Sequence, residues 1–257
     1  MKNIIKGQLY MLPKYAVSHF VFIGIALLQV LATFTTVETT NPEMIPNAGV
    51  YAAISDTMNV MISVAYIFIL TAQVCLSDFS DKTSYYELMG GHTRLQVYFG
   101  RAIPCLVLGT LGTLVLFFIP DITATVLLGW GSDVPVEQII LRRLLLIFPL
   151  FRLSCEFVFI SFLMKNMVGV MVTGFAVYMG GMYLLMAGDS PWLGITTIPL
   201  LYQTDFWVTY GLDANYHFSF DASLQPETVV QVIVFSLAAA AISLFLGYFF
   251  FEKDDMN

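Results

Sequence analysis

The chain has 257 residues, of which 58% are hydrophobic and 11% charged, whereas a soluble domain carries about 25% charged residues. That balance excludes an ordinary water-soluble enzyme or a nucleic-acid binder and reads as an integral membrane protein. The formal net charge of −7 names no partner, because half of the eighteen acids fall in loops assigned below to the outer side.

Met1 to Lys14 alternates basic and apolar residues. A helix through Ile4, Ile5, Leu9 and Met11 would lie on the membrane surface with its lysines toward water. It reads as an elbow into a first span, residues 15–34, close to the roughly 20 residues a helix needs to cross the hydrocarbon. No small-residue cleavage pattern follows that run, so it is expected to be retained. Thr35 to Gly49 is a short loop, and the second span covers 51–76, starting with polar Ser55, Asp56 and Asn59.

Residues 77–101, SDFSDKTSYYELMGGHTRLQVYFGR, form a polar interval caught between two hydrophobic runs each long enough to cross a bilayer. Ser84 and Glu87 have capping-box spacing. Gly90 and Gly91 follow as a stop through left-handed dihedrals. The expectation is a helix of one or two turns with Tyr85, Leu88 and Met89 on one side.

The third span covers 102–119, with Pro104 placed in its first turn, where its missing amide costs nothing. Gly109 and Thr113 give a small-xxx-small pair suited to close helix packing. Residues 120–138 read as a loop containing Asp121, Asp133 and Glu137. The fourth span, 139–164, contains Arg142, Arg143, Arg152 and Glu156. Lys165 and Asn166 make a tight turn into the fifth span, 168–186, so these two helices are antiparallel neighbours. Residues 187–225 contain Trp192, Tyr202, Phe206, Trp207, Tyr210 and Tyr216. The 192–202 stretch is about half a span long and suits an interfacial or re-entrant segment. The sixth span covers 228–251.

The fold class read from this pattern is all-α: a polytopic membrane protein, a single transmembrane domain of six helices. Lysine and arginine accumulate on the cytoplasmic side. With the amino end inside, Lys2, Lys6, Lys14, Lys82, Arg94, Arg101, Lys165 and Lys253 are cytoplasmic, eight of the eleven basic residues, and the outer loops hold none. Both termini and residues 77–101 then face the cytoplasm.

Arg152 and Glu156 are one helical turn apart and can pair, reducing a cost of roughly 2.5 to 3.5 kcal/mol for each unpaired charge near the bilayer centre. Either a polar lining of the bundle or a self-satisfied anchor fits that pair. Arg142 and Arg143 are expected to snorkel to the outer headgroups. Cys75, Cys105 and Cys155 lack metal or redox spacing and read as small buried hydrophobes, with no disulfide expected. His19, His92 and His217 are isolated from one another, so no metal site is expected. No nucleophile elbow, zinc-protease helix or phosphate-binding loop occurs.

Phe79, Lys82, Thr83, Thr93, Arg94, Tyr98, Gly100 and Arg101 follow an aromatic, Lys-Thr, short helix, Thr-Arg, aromatic-x-Gly-Arg order. Together with the six-span plan, this resembles the permease subunit of type-2 ATP-binding-cassette (ABC) transporters. Gly90-Gly91-His92 departs from the proline that many members have before the Ser/Thr-Arg step. The resemblance implies an ABC exporter half-transporter in a bacterial plasma membrane, paired with a second permease subunit as homodimer or heterodimer. It implies a translocation path through the lipid bilayer and cytoplasmic ATPase subunits that hold ATP and Mg, with no cofactor on this chain. It further implies that the short helix is a coupling helix seated in an ATPase cleft, using Tyr85, Leu88 and Met89, with Lys82, Glu87 and Arg94 at the rim. An antimicrobial peptide or another amphipathic molecule is among the implied substrates. Two other classes stand beside it: a membrane-embedded enzyme acting on lipid or peptide through Glu156, Arg152 and His92, and a non-transporting assembly subunit.

Overall fold

A computed structural model describes residues 2–11, 16–40, 44–80, 88–186, 209–212, 218–221 and 224–253. Within them the chain is helical apart from one short hairpin. The helices are α1 (Lys2–Met11), α2 (Ala16–Thr39), α3 (Ala48–Ile54), α4 (Asp56–Ser80), α5 (Arg94–Leu128), α6 (Val136–Leu145), α7 (Ile147–Met164), α8 (Met167–Met186) and α9 (Pro226–Lys253). Strands β1 (Thr209–Leu212) and β2 (Phe218–Asp221) pair antiparallel between α8 and α9.

Four helical stretches are long and apolar enough to cross a membrane: 16–39, 94–128, 136–164 and 229–253. The protein is therefore membrane-embedded. Many of their outward positions carry large apolar side chains, such as Phe20, Leu27, Leu31, Ile242 and Phe245, as lipid contact requires. Alone among these helices, α2 has a described buried face that is entirely polar, made of Ser18, Gln29 and Thr33. Gln29 donates from Nε2 to Ser63 Oγ on α4 at 2.7 Å, and Thr33 Oγ1 meets the Tyr51 hydroxyl of α3 at 2.9 Å.

Helix α5 corrects the expected third span at both ends. It runs 35 residues, from Arg94 to Leu128, with Pro104 and Pro120 inside it. Thr93 caps its start: Thr93 Oγ1 accepts from the Gln96 amide at 3.3 Å, and the Gln96 side chain accepts from the Thr93 amide at 3.4 Å. Pro104 is thus the eleventh helical residue rather than a first-turn one. Pro120 does not end the helix either. Each proline removes one ladder bond, at about 3 kcal/mol, yet both side chains are buried in the bundle and the packing carries the helix through. The turn comes only at Gly129, with φ 73°, and Gly131, with φ 79°.

Two other expected spans carry interruptions. Residues 51–76 divide into α3 and α4 around Ser55. Residues 139–164 divide into α6 and α7 around Leu146. The second interruption has a local cause, because Pro149 has no amide to give Leu145 and its ring crowds that carbonyl. The chain stays nearly in line, since Leu146 still donates to Arg142 O at 3.0 Å and Leu150 to Leu146 O at 3.0 Å. Lys165, with φ 52°, makes the expected tight turn between α7 and α8. Helix α9 opens at Pro226 and Glu227, two residues before the expected sixth span.

Two main cores hold the bundle. One joins Ile67, Phe68, Phe117, Leu150, Phe157 and Val232; the other joins Ile4, Val74, Tyr98, Cys105, Phe162 and Phe251. Gly109 on α5 lies against Ser154 of α7, so the Gly109/Thr113 pair packs inside the bundle.

Candidate functional site

Contacts sort the two ends of the bundle. At one end the start of α5 meets the finish of α9, where the Arg94 guanidinium donates to the Glu252 carbonyl. One turn on, the Tyr98 hydroxyl donates to Leu244 O of α9 at 3.1 Å, and its ring lies 4.6 Å from that of Phe162 near the finish of α7. Phe162 in turn lies 5.2 Å from Phe251. Gly100 admits Ile4 of α1: a Cβ there would stand 2.8 Å from Ile4 Cγ2. The amino-terminal helix, the chain leaving residues 81–93, and the carboxyl-terminal turn of α9 therefore share one end. That end also has Lys253 Nζ 4.1 Å over the Phe249 ring.

The expected coupling residues fall unevenly. Lys82, Tyr85 and Glu87, with the Ser84 cap, lie outside the described residues. Gly91 takes the left-handed conformation foreseen for the helix stop, at φ 84°, and its amide donates to Leu88 O at 3.0 Å. Leu88 and Met89 do not share a face as expected. Leu88 is half-buried against the core around Val97 and Tyr98, while Met89 is 80% exposed. Neighbouring helical residues diverge by about 100°, so one can anchor the segment while the other projects. Arg94 is half-buried and links α5 to α9 through the Glu252 carbonyl. His92 Nδ1 lies 3.4 Å from Gln96 Oε1.

The Arg152–Glu156 pair forms as the spacing predicts. Arg152 Nε donates to Glu156 Oε1 at 2.6 Å, with the two side chains 10% and 22% exposed. Helical rise puts Arg152 about 18 Å from Met164 along the axis, near mid-depth for a bilayer-spanning helix.

Arg142 and Arg143 do not snorkel. Both are fully buried. Arg143 grips Asp121 through both carboxylate oxygens, Nε to Oδ2 at 2.8 Å and Nη2 to Oδ1 at 3.1 Å, and its guanidinium carbon sits 5.9 Å from the Phe117 ring centroid. Arg142 Nη1 donates to Gln138 O and Oε1, both at 3.3 Å. Burial of two arginines in apolar surroundings requires partners of this kind. The sequence alone does not disclose the Asp121 pairing, because reading Pro120 as a helix end puts Asp121 in a loop. The missed signal was that Asp121 belongs to a continuous apolar helix and needs a cation.

The opposite end closes over α3. Ala48 N donates to Gly129 O at 2.9 Å, Gly49 N to Trp130 O at 3.1 Å, and Trp130 Nε1 to Val134 O at 2.8 Å. Asn47 Nδ2 donates to Asp133 Oδ2. An apolar groove of about 460 Å³ runs beside Asp121 between α5 and α6, lined by Phe118, Ile122, Val126, Ile139 and Ile140. The expected outer aromatic segment is described only in part. Tyr210 lies in β1, whereas Trp192, Tyr202, Phe206, Trp207 and Tyr216 lie outside the described residues.

Cys75, Cys105 and Cys155 are free thiols, and all three are buried as the sequence suggests. No group of three metal-ligating side chains occurs among the described residues. No protein-family model matches the chain, and no curated protein matches its sequence.

Proposed function

We propose that the protein is the membrane-spanning subunit of an ATP-driven exporter, coupled through residues 77–101 to a separate cytoplasmic ATPase. In this reading α4, 25 residues long, and α8, 20 residues long, complete six crossings with the four long apolar helices. Both termini and the 81–93 connection face the cytoplasm, the side that the lysines and arginines favour. The chemistry of ATP and Mg occurs in the partner; this chain supplies the path and the lever. A second permease subunit completes the path, and an amphipathic molecule such as an antimicrobial peptide is the substrate class proposed.

The observation that carries the reading is how the chain is tied to the bundle immediately after the 81–93 connection. Its exit, Arg94, holds the carbonyl of Glu252, and Tyr98 one turn later holds that of Leu244. A push on the connection is therefore delivered to α5 and α9 together, and through the Tyr98 and Phe162 rings to α7. A loop that merely joined two crossings would need no such attachment. Exposed Met89 is the described apolar side chain best placed to enter a partner's cleft, where buried apolar anchors dominate binding.

The test replaces Tyr85 and Met89 with Asp in the full-length protein and measures membrane insertion, co-purification of an ATPase subunit from native membranes, and stimulated ATP hydrolysis. Insertion is expected to persist while complex formation and hydrolysis fall at least tenfold. Unchanged hydrolysis in the double variant refutes the coupling role.

A further inference from the structure

We infer that Cys75 and Cys105 are a redox modification site, a dithiol that closes to a disulfide joining α4 to α5. Their sulfurs are 3.1 Å apart, and both side chains are fully buried. Bonded sulfurs stand about 2.05 Å apart, so closure asks the pair to approach by roughly 1 Å. The third thiol, Cys155, belongs to the same core from α7 but has no sulfur contact among the described residues. The site therefore consists of two thiols, with a built-in bystander.

The surroundings select the oxidant. Leu70, Val74, Ala102 and Leu106 belong to the same buried core, in helices that the lipid surrounds. Apolar surroundings of this kind disfavour charged oxidants and glutathione, whereas an uncharged lipophilic quinone partitions into the adjoining lipid. In the step, both S–H bonds break and one S–S bond forms. Two electrons and two protons pass to the quinone, which leaves as its hydroquinone. A small membrane-permeant dithiol reverses the bond by exchange.

The position gives the modification a mechanical consequence. Cys75 lies five residues before the end of α4 and Cys105 lies eleven residues after the start of α5, so the bond would bracket the whole 81–93 connection. Sliding of α4 against α5 at the foot of that connection would then be blocked. This inference stands on the sulfur geometry and holds whatever the connection binds.

The experiment uses the full-length protein in proteoliposomes. It is treated with a fully substituted benzoquinone, which has no free ring position for thiol addition, then denatured and labelled with a maleimide. The reduced wild type takes three labels, one for each cysteine. The oxidised wild type is expected to take one, at Cys155, with a peptide linking Cys75 to Cys105 detected by mass spectrometry. The Cys155→Ser variant should lose both of its labels and the Cys75→Ser variant neither. Three labels on the oxidised wild type would overturn the assignment, as would thiol loss that persists in Cys75→Ser. The wild-type count decides the matter even if a variant folds poorly.

Discussion

Replacing Asp121 with Asn leaves the Arg143 guanidinium in place, buried, without its counter-charge. Arg143 is 0% exposed and the Asp121 side chain 8%, so water can replace little of what is lost. Two charge-assisted hydrogen bonds, at 2.8 and 3.1 Å, are weakened or removed, each contributing about 1.5 to 3 kcal/mol. The Phe117 ring retains a cation–π contact of about 0.5 to 2 kcal/mol. The net loss expected is about 3 kcal/mol, at the lower edge of the roughly 3 to 5 kcal/mol for breaking a buried ion pair. Removing both charges, as Asp121→Leu with Arg143→Met, should cost much less than the sum of the two single changes, because no uncompensated charge remains. Reversible unfolding in bicelles, measured on all four members of the cycle with conformational trapping of the unfolded state, gives the coupling energy directly. A single-variant cost below about 1 kcal/mol, or additive costs across the cycle, would refute the claim that this pair is a desolvated unit between α5 and α6.

Other perturbations address separate links. Thr93→Ala removes the side-chain half of the α5 capping box. It should cost about 1 kcal/mol and speed amide exchange at residues 94–97, whereas Thr93→Ser should change neither by more than a few tenths. Gly100→Val places side-chain atoms where Ile4 now sits. It is expected to release α1, seen as faster exchange over residues 2–11, with a stability loss of about 1 to 3 kcal/mol for overpacking. Glu156→Leu leaves Arg152 inside the bundle without its carboxylate and should destabilise by about 2 to 3 kcal/mol; Arg152→Leu with Glu156→Leu should recover most of that.

How far the sequence disclosed this architecture varied with the kind of signal. Long apolar runs announced α8 and α9 to within two residues, because the bilayer sets a length that composition alone satisfies, whereas α2 runs five residues past its expected end, into the stretch read as a loop. The Arg152–Glu156 pair was legible because both members lie on one helix at one-turn spacing. Asp121–Arg143 was not, since its members lie 22 residues apart on different helices and only packing brings them together. Proline was misread in both directions. Pro120 looked like an end and is helix interior, while Pro149 was passed over and marks the interruption at Leu146. The Thr93/Gln96 cap went unnoticed beside the Ser84/Glu87 spacing. Leu88 and Met89 could not be told apart without knowing which side the bundle occupies. The sulfur pair carried no sequence spacing at all, being 30 residues apart and joined only by the packing of α4 on α5.

The most direct test of the coupling proposal is a photoreactive residue at Met89, the exposed side chain beside the turn at Gly91. In native membranes with ATP present, irradiation should yield an adduct to a protein that itself binds and hydrolyses ATP, and the same residue at Val126, 80% exposed at the opposite end of α5, should yield none. Equal adducts from both positions, or an adduct from Val126 alone, would contradict the account.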